Sequence, residues 1–196
     1  MTINSVGIIG AGTMGNGIAQ ACAVVGLKVT MVDINDAAVA KGIATVSGSL
    51  DRLIKKDKLT AEQKAAALAL IQGSTSYDAL KGCDIVIEAA TENQALKIKI
   101  LQLLDETLPA ETLVATNTSS ISITQLAAVT KRAERFIGMH FFNPVPMMAL
   151  VEIIRGLQTS DATHDAVKDL ALRLGKSPIT VKNAPGFVVN RILVPM

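Results

Sequence analysis

The sequence predicts an α/β chain folded as a doubly wound, mostly parallel sheet, and three observations carry that prediction. Short β-branched runs alternate with longer stretches of helical periodicity throughout the chain. The first run empties into a glycine-rich turn that opens a helix. Later runs end in polar residues, as parallel strands do where their C-terminal ends face a ligand.

Val6, Ile8 and Ile9 form the first strand, which stops at Gly10. Gly10-Ala11-Gly12-Thr13-Met14-Gly15 then fits the G-x-G-x-x-G pattern. In that pattern the first glycine permits the turn, the second lets backbone approach a pyrophosphate, and the third lets helix pack on strand. Phosphates gain there from unpaired N–H groups at a helix start. Ile18, Ala19, Cys22, Ala23 and Val25 continue the helix, Gly26 stops it, and Val29, Met31 and Val32 make a second strand ending in Asp33. An acid about twenty residues past the glycines puts its carboxylate on the ribose hydroxyls of an adenosine. A Rossmann-type dinucleotide site is therefore expected. Reading the glycines as packing residues only would leave the position of Asp33 unexplained. Asp33 would repel a 2′-phosphate, and Ile34, Asn35 and Asp36 offer no cation to hold one, so NAD is expected over NADP.

Residues 36 to 56 carry helical periodicity through Val39, Ile43, Val46, Leu50, Leu53 and Ile54, and Thr60 with Gln63 reads as a capping box opening another helix. Lys55, Lys56 and Lys58 decorate the end of this helical hairpin, either as a solvated helix terminus or as a phosphate contact. Ser74, Thr75 and Ser76 read as a turn. Ile85, Val86 and Ile87 form a buried strand running into Glu88-Ala89-Ala90-Thr91-Glu92, and Asn93 to Leu108 is an amphipathic helix. Thr112 to Thr116 is a strand that runs into Asn117-Thr118-Ser119-Ser120, where Ser119 reads equally well as the cap of a following helix. Arg135 to Phe142 is strand-like and carries His140, with Asn143-Pro144-Val145-Pro146 behind it. Leu150 to Ile154 is a strand with Glu152 between apolar neighbours, Asp161 to Leu174 a helix with a solvated His164, and Ile179 to Val181 a last strand. Pro185-Gly186-Phe187 leads into a final helix whose face of Val188, Val189, Ile192, Leu193 and Met196 reads as the start of a further helical domain. The expected division is a cofactor domain over 1–184 and the opening of a second domain over 185–196, with that helical domain otherwise absent.

Composition excludes several classes. Four Phe, one Tyr and no Trp leave no aromatic set for stacking bases, and a net charge of +2 is too small to imply a polyanion, so no nucleic-acid partner is expected. Cys22 and Cys83 lack metal-ligand spacing and read as buried thiols. No metal is expected. The first residues lead directly into a strand and no apolar run is long enough to span a bilayer, so a cytoplasmic enzyme without a membrane partner is expected.

His140 and Glu152 are the one pair suited to proton transfer. A carboxylate partner fixes an imidazole's tautomer and favours its charged form, and alcohol oxidation needs such a base, because the hydroxyl loses a proton as its carbon loses a hydride. Spacing alone fits a structural histidine satisfied by a buried acid equally well. The glycine turn, Asn117-Thr118-Ser119-Ser120, the block Gly138-Met139-His140-Phe141-Phe142-Asn143-Pro144-Val145-Pro146 and the block Ala184-Pro185-Gly186-Phe187-Val188-Val189-Asn190-Arg191 together resemble the 3-hydroxyacyl-CoA dehydrogenase family, especially its stand-alone bacterial 3-hydroxybutyryl-CoA dehydrogenases. The resemblance spans the whole chain in order. It implies that His140 takes the 3-hydroxyl proton, that Glu152 orients it, that Ser119 bonds the 3-oxygen and that Asn190 bonds the thioester side. It places NAD against the glycine turn, Asp33, Glu92, Lys97, Asn117, Ser119 and Asn143, and coenzyme A against Ser119, Ser49 and Lys56. It implies NAD-dependent oxidation of a short (S)-3-hydroxyacyl-CoA such as 3-hydroxybutyryl-CoA, reversed with acetoacetyl-CoA. It also implies a homodimer formed through the second domain, and a cofactor half that holds NADH but turns over poorly alone. A sugar-acid dehydrogenase of gulonate type and a non-catalytic NAD-binding module are the alternatives.

Overall fold

β1 (Ser5–Ile9) forms the centre of the sheet because every residue from Val6 to Ile9 is buried on both faces, as a parallel strand covered on two sides requires. In this computed structural model, which describes residues 1–193, β1 pairs in parallel with β2 (Lys28–Val32) on one side and β4 (Ile85–Glu88) on the other. β3 (Ile71–Ser74) extends the sheet beyond β2, and β5 (Leu113–Thr116) and β6 (Phe136–Phe141) extend it beyond β4, all parallel. β7 (Leu150–Arg155) then runs antiparallel to β6, and β8 (Ser177–Lys182) runs parallel to β7. The order is therefore β3-β2-β1-β4-β5-β6-β7-β8, a Rossmann-like sheet whose strand order reverses between β1 and β4.

Helices cover both faces. α1 (Thr13–Val24), α2 (Asp36–Ile54), α3 (Ala61–Ala69) and α6 (Asp161–Arg173) pack one core, through Ile18, Cys22, Val46, Leu50, Val167 and Leu170 on Val6, Ile8, Met31 and Ile153. α4 (Gln94–Thr107) and α5 (Ile123–Ala127) pack the other, through Leu101, Leu104, Ile123 and Leu126 on Val86, Val114, Phe136 and Ile154. α7 (Val189–Leu193) comes after the buried Phe187, which belongs to this second core. The capping box holds as expected, with Thr60 N donating to Gln63 Oε1 at 2.9 Å and Gln63 N to Thr60 Oγ1 at 3.2 Å. Both cysteines are buried and free, and burial pushes the Cys22 thiol up to about 12 against the opposing pull of Arg173, which makes it inert.

Three expectations change. Ser74, expected in a turn, is the last residue of a strand over Ile71–Ser74, so the turn begins only after it. Ser122, not Ser119, caps α5, accepting from Gln125 N. His164 is not solvated: its side chain is 13% exposed, with Nδ1 3.0 Å from Asp165 and Nε2 2.8 Å from Thr180. Of the expected final apolar face, Ile192 is 58% exposed, and Met196 lies outside the described residues, as does the side chain of Leu193.

Candidate active site and cofactor cavity

At the reversal point the chain leaves β1 through Gly10, whose φ of +96° is open to glycine alone at little cost. A Cβ there would also lie 2.7 Å from Ala90 Cα, so the turn is seated against the end of β4. Gly15 sits one turn into α1 against the same segment: a Cβ on it would fall 1.7 Å from Gly10 O. Gly12 is different. A Cβ on it would meet nothing within 4 Å, because it borders a cavity of about 340 Å³ lined by Ala11, Gly12, Thr13, Asn16, Asp33, Ala38, Lys41 and Thr45. Asp33 directly follows β2 at the rim of this cavity, its carboxylate accepting from Ala11 N at 2.6 Å and Ile34 N at 2.7 Å. An open space over a helix start, with an acid opposite, fits a pyrophosphate and an adenosine ribose. Lys41 is a cation that the reading of residues 34–36 missed. Its signal was its place one helical turn before Thr45, on the face that α2 turns to the glycines.

β4 and β5 deliver a second set of polar groups. Glu88 is 0% exposed; its Oε2 accepts from Thr116 Oγ1 at 2.8 Å and pairs with the Lys97 ammonium, and its Oε1 accepts from Ala90 N at 3.0 Å. Lys97, which the resemblance places against the cofactor, is also 0% exposed and neutralises Glu88 beneath the loop after β4. Burial first, and then the charges of Glu88 and Asp33, push the half-buried Tyr77 phenol up. Glu92 reaches across to the loop after β5, accepting from Thr118 Oγ1 at 2.7 Å and Ser119 N at 2.6 Å. Asn117 accepts from Phe141 N at 2.8 Å, which ties that loop to β6.

β6 and β7 bring His140 and Glu152 directly opposite one another. His140 Nδ1 lies 2.8 Å from Glu152 Oε2; the imidazole is 6% exposed and the carboxylate 0%. An ionised carboxylate can only accept, so Nδ1 carries the hydrogen, and in the neutral imidazole the lone pair is on Nε2. The imidazole lies between the rings of Phe142, at 4.5 Å, and Phe187, at 5.9 Å. Asn190 Nδ2 donates to Ser119 O at 3.1 Å, which joins α7 to the same site. Asn143 is exposed just past β6, in the loop that Lys176 grips by donating to the carbonyls of Val145 and Met148. Ser49 lies about 20 Å along α2 from its start, and Lys56 is exposed beyond its end. No contact among the described residues joins either to His140.

Size alone would misplace the site. A cleft of about 680 Å³, twice the volume of the cavity over Gly12, lies at the N-terminal ends of β5 and β6. Its Arg132 is spent on Asp105 and on the carbonyls of Asp105, Leu108, Pro109 and Thr112, and no acid–base pair faces it.

Residues 5–184 match the family model described as 3-hydroxyacyl-CoA dehydrogenase, NAD binding domain. The chain belongs to that family. It is 49% identical over 194 residues to a 3-hydroxybutyryl-CoA dehydrogenase of Bradyrhizobium diazoefficiens, an alignment covering 99% of the chain and 66% of that relative. A fatty acid oxidation complex subunit alpha of Acinetobacter baylyi is 46% identical over 98% of the chain, which is 27% of that larger protein. The crystal structure of an (S)-3-hydroxybutyryl-CoA dehydrogenase of Ralstonia eutropha superposes with a TM-score of 0.98 at 73% identity, covering the whole chain and 69% of that structure. The chain thus spans about two thirds of the dehydrogenases it matches. The family's NAD-binding domain and the open cavity over Gly12 agree on the cofactor. Among the described residues, no helix is long and apolar enough to cross a membrane.

Proposed function

We propose that this protein carries the cofactor site and the proton-transfer pair of an NAD-dependent (S)-3-hydroxyacyl-CoA dehydrogenase acting on short acyl chains, 3-hydroxybutyryl-CoA first among them. The observation that carries the reading is the buried His140–Glu152 pair, 2.8 Å apart, between the loop of Ser119 and the first turn of α7. His140 Nε2 accepts the 3-hydroxyl proton as the C3–H bond breaks, and Glu152 stabilises the imidazolium that results. Ser119 donates to the 3-oxygen and Asn190 holds the thioester side. NAD, when bound, supplies the acceptor for the hydride. The glycine turn from Gly10 to Gly15 and Asp33 hold its adenosine and pyrophosphate, while Glu92, Asn117, Ser119 and Asn143 border its nicotinamide end. Lys97 acts from below, through Glu88. Ser49 and Lys56, along and beyond α2, meet coenzyme A.

The same reading divides the chain at residue 184, takes 185–196 as the opening of a second, helical domain, and expects a homodimer working in the cytoplasm. It is favoured over a sugar-acid dehydrogenase by the 3-hydroxybutyryl-CoA dehydrogenases among the relatives, and over a non-catalytic module by the presence of Ser119, His140, Glu152 and Asn190 together. The test is a titration with NADH followed by cofactor fluorescence, after which acetoacetyl-CoA is added and NADH loss recorded. NADH binding with oxidation that falls about a hundredfold or more in His140→Ala is the expected outcome. Failure to bind NADH, or oxidation untouched by that substitution, overturns the reading.

A further inference from the structure

Glu152 is shared between two parts of the chain. Its Oε2 accepts from His140 Nδ1, and its Oε1 accepts from Val188 N and Val189 N, both at 3.0 Å. Those amides open α7 just after Gly186 and Phe187, which have φ of +72° and +51°. Phe187 holds a backbone conformation that side-chain-bearing residues rarely adopt, and the fold keeps it there with its ring 2% exposed beside His140. One residue further on, Asn190 grips the carbonyl of Ser119, whose amide is held from the other side by Glu92. A carboxylate bonded to an imidazole alone can still swing about its terminal torsion, which is broad. Two N–H donors on the second oxygen remove that freedom.

We propose that the first turn of α7 is the positioning element of the proton-transfer pair. The Val188 and Val189 amides and the Phe187 ring fix Glu152, and through it the tautomer and tilt of the His140 imidazole, while Asn190 fixes the Ser119 loop at the same time. Docking of this turn therefore assembles the base and the oxygen-binding group in one event. Only the kinetic part of the test rests on the dehydrogenase reading.

Val189→Pro removes one of the two donors at the first position of a helix, where proline's missing N–H and fixed φ are tolerated. Phe187→Leu keeps an apolar filler and removes the ring. The readout is the pair of imidazole ¹⁵N shifts of His140 in the neutral range, with the chain's other histidine, His164, as internal reference. The expected result is well-separated Nδ1 and Nε2 signals in the unaltered protein. In both variants they move toward each other, by less in Phe187→Leu, with His164 unchanged. Turnover then falls about tenfold to a hundredfold with KM for NAD unaltered. Unmoved His140 shifts in Val189→Pro, together with faster hydrogen exchange at the Val188 amide, would overturn the proposal, because α7 would then have loosened without the imidazole noticing. Failure of the unaltered protein to bind NADH would count against the dehydrogenase reading and leave the nitrogen shifts interpretable.

Discussion

Gly12 and Gly15 fill the second and third glycine slots of one motif and face opposite surroundings, which makes them a test of what each slot is for. A methyl group at Gly15 would collide with Gly10 O, whereas one at Gly12 projects into the open cavity. Gly15→Ala is expected to fail to fold or to lose stability outright, while Gly12→Ala keeps its melting temperature within a few degrees and loses NADH affinity by about tenfold or more. Equal losses of stability in both would refute this. Asp33 and Lys41 line the same cavity with opposite charges, so Asp33→Ser leaves a cation without its acid opposite. NADPH should gain on NADH by about tenfold in the ratio of kcat/KM values, about 1.4 kcal/mol, and Lys41→Ala in that background should erase the gain. His140 was legible in the sequence because an imidazole on an apolar strand needs a partner and Glu152 was the one acid on the next strand. Lys97 and His164 were not: helical periodicity says which face a side chain takes but not which polar group lies beneath it, here Glu88 for the first and Thr180 for the second.

At the scale of elements, buried polar anchors join the strands to their neighbouring helices and loops. Lys97 ties α4 to β4 and β5, and Lys97→Met would leave Glu88 as an uncompensated buried charge. The expected loss is about 3–5 kcal/mol by denaturant unfolding, while Glu88→Gln with Lys97→Met recovers part of it. Asp84, just before β4, accepts from Asn4 N, Ser5 N and Ser5 Oγ at 2.7–2.9 Å and so holds the start of β1. Burial pushes its carboxyl up, but these hydrogen bonds outweigh burial and hold it below the ordinary range. The stability it contributes is therefore complete above the unfolded value of about 3.9 and is lost as pH falls through the depressed folded value. Much of the group is exposed, so Asp84→Ala should cost only about 1–2 kcal/mol at neutral pH, and the gap to the unaltered protein should close in acid. A gap that widens in acid would reverse the assignment. The sequence revealed the long, periodic elements to within a residue or two. β3 escaped because Ile71 is its one apolar residue, with Gln72 and Gly73 after it, and it forms only by pairing with β2. α5 has five residues, too few for a period, and the serine that seemed to cap it has its amide committed to Glu92.

At the scale of the molecule, the sheet is buried on both faces at β1, β4, β5 and β6 and more open at its two margins, β3 and β8, each of which has one buried residue. Native-state hydrogen exchange should be slowest at the amides of β1, β4 and β5 and fastest among strands at β3 and β8. Protection of β8 equal to that of β1 would mean that another surface covers this margin. The order of the sheet also has a consequence for synthesis. Every residue lining the cavity over Gly12 lies between Ala11 and Thr45, so all of them leave the ribosome before β4. Yet Ala89 N donates to Ile9 O, and Gly10 is seated against Ala90, two residues that come after a strand made much later. A nascent chain that stops short of β4 owns the whole lining of the cavity but has no wall to set it against. Capture of the adenosine end of the nucleotide therefore waits until β4 and Ala90 have followed the lining out.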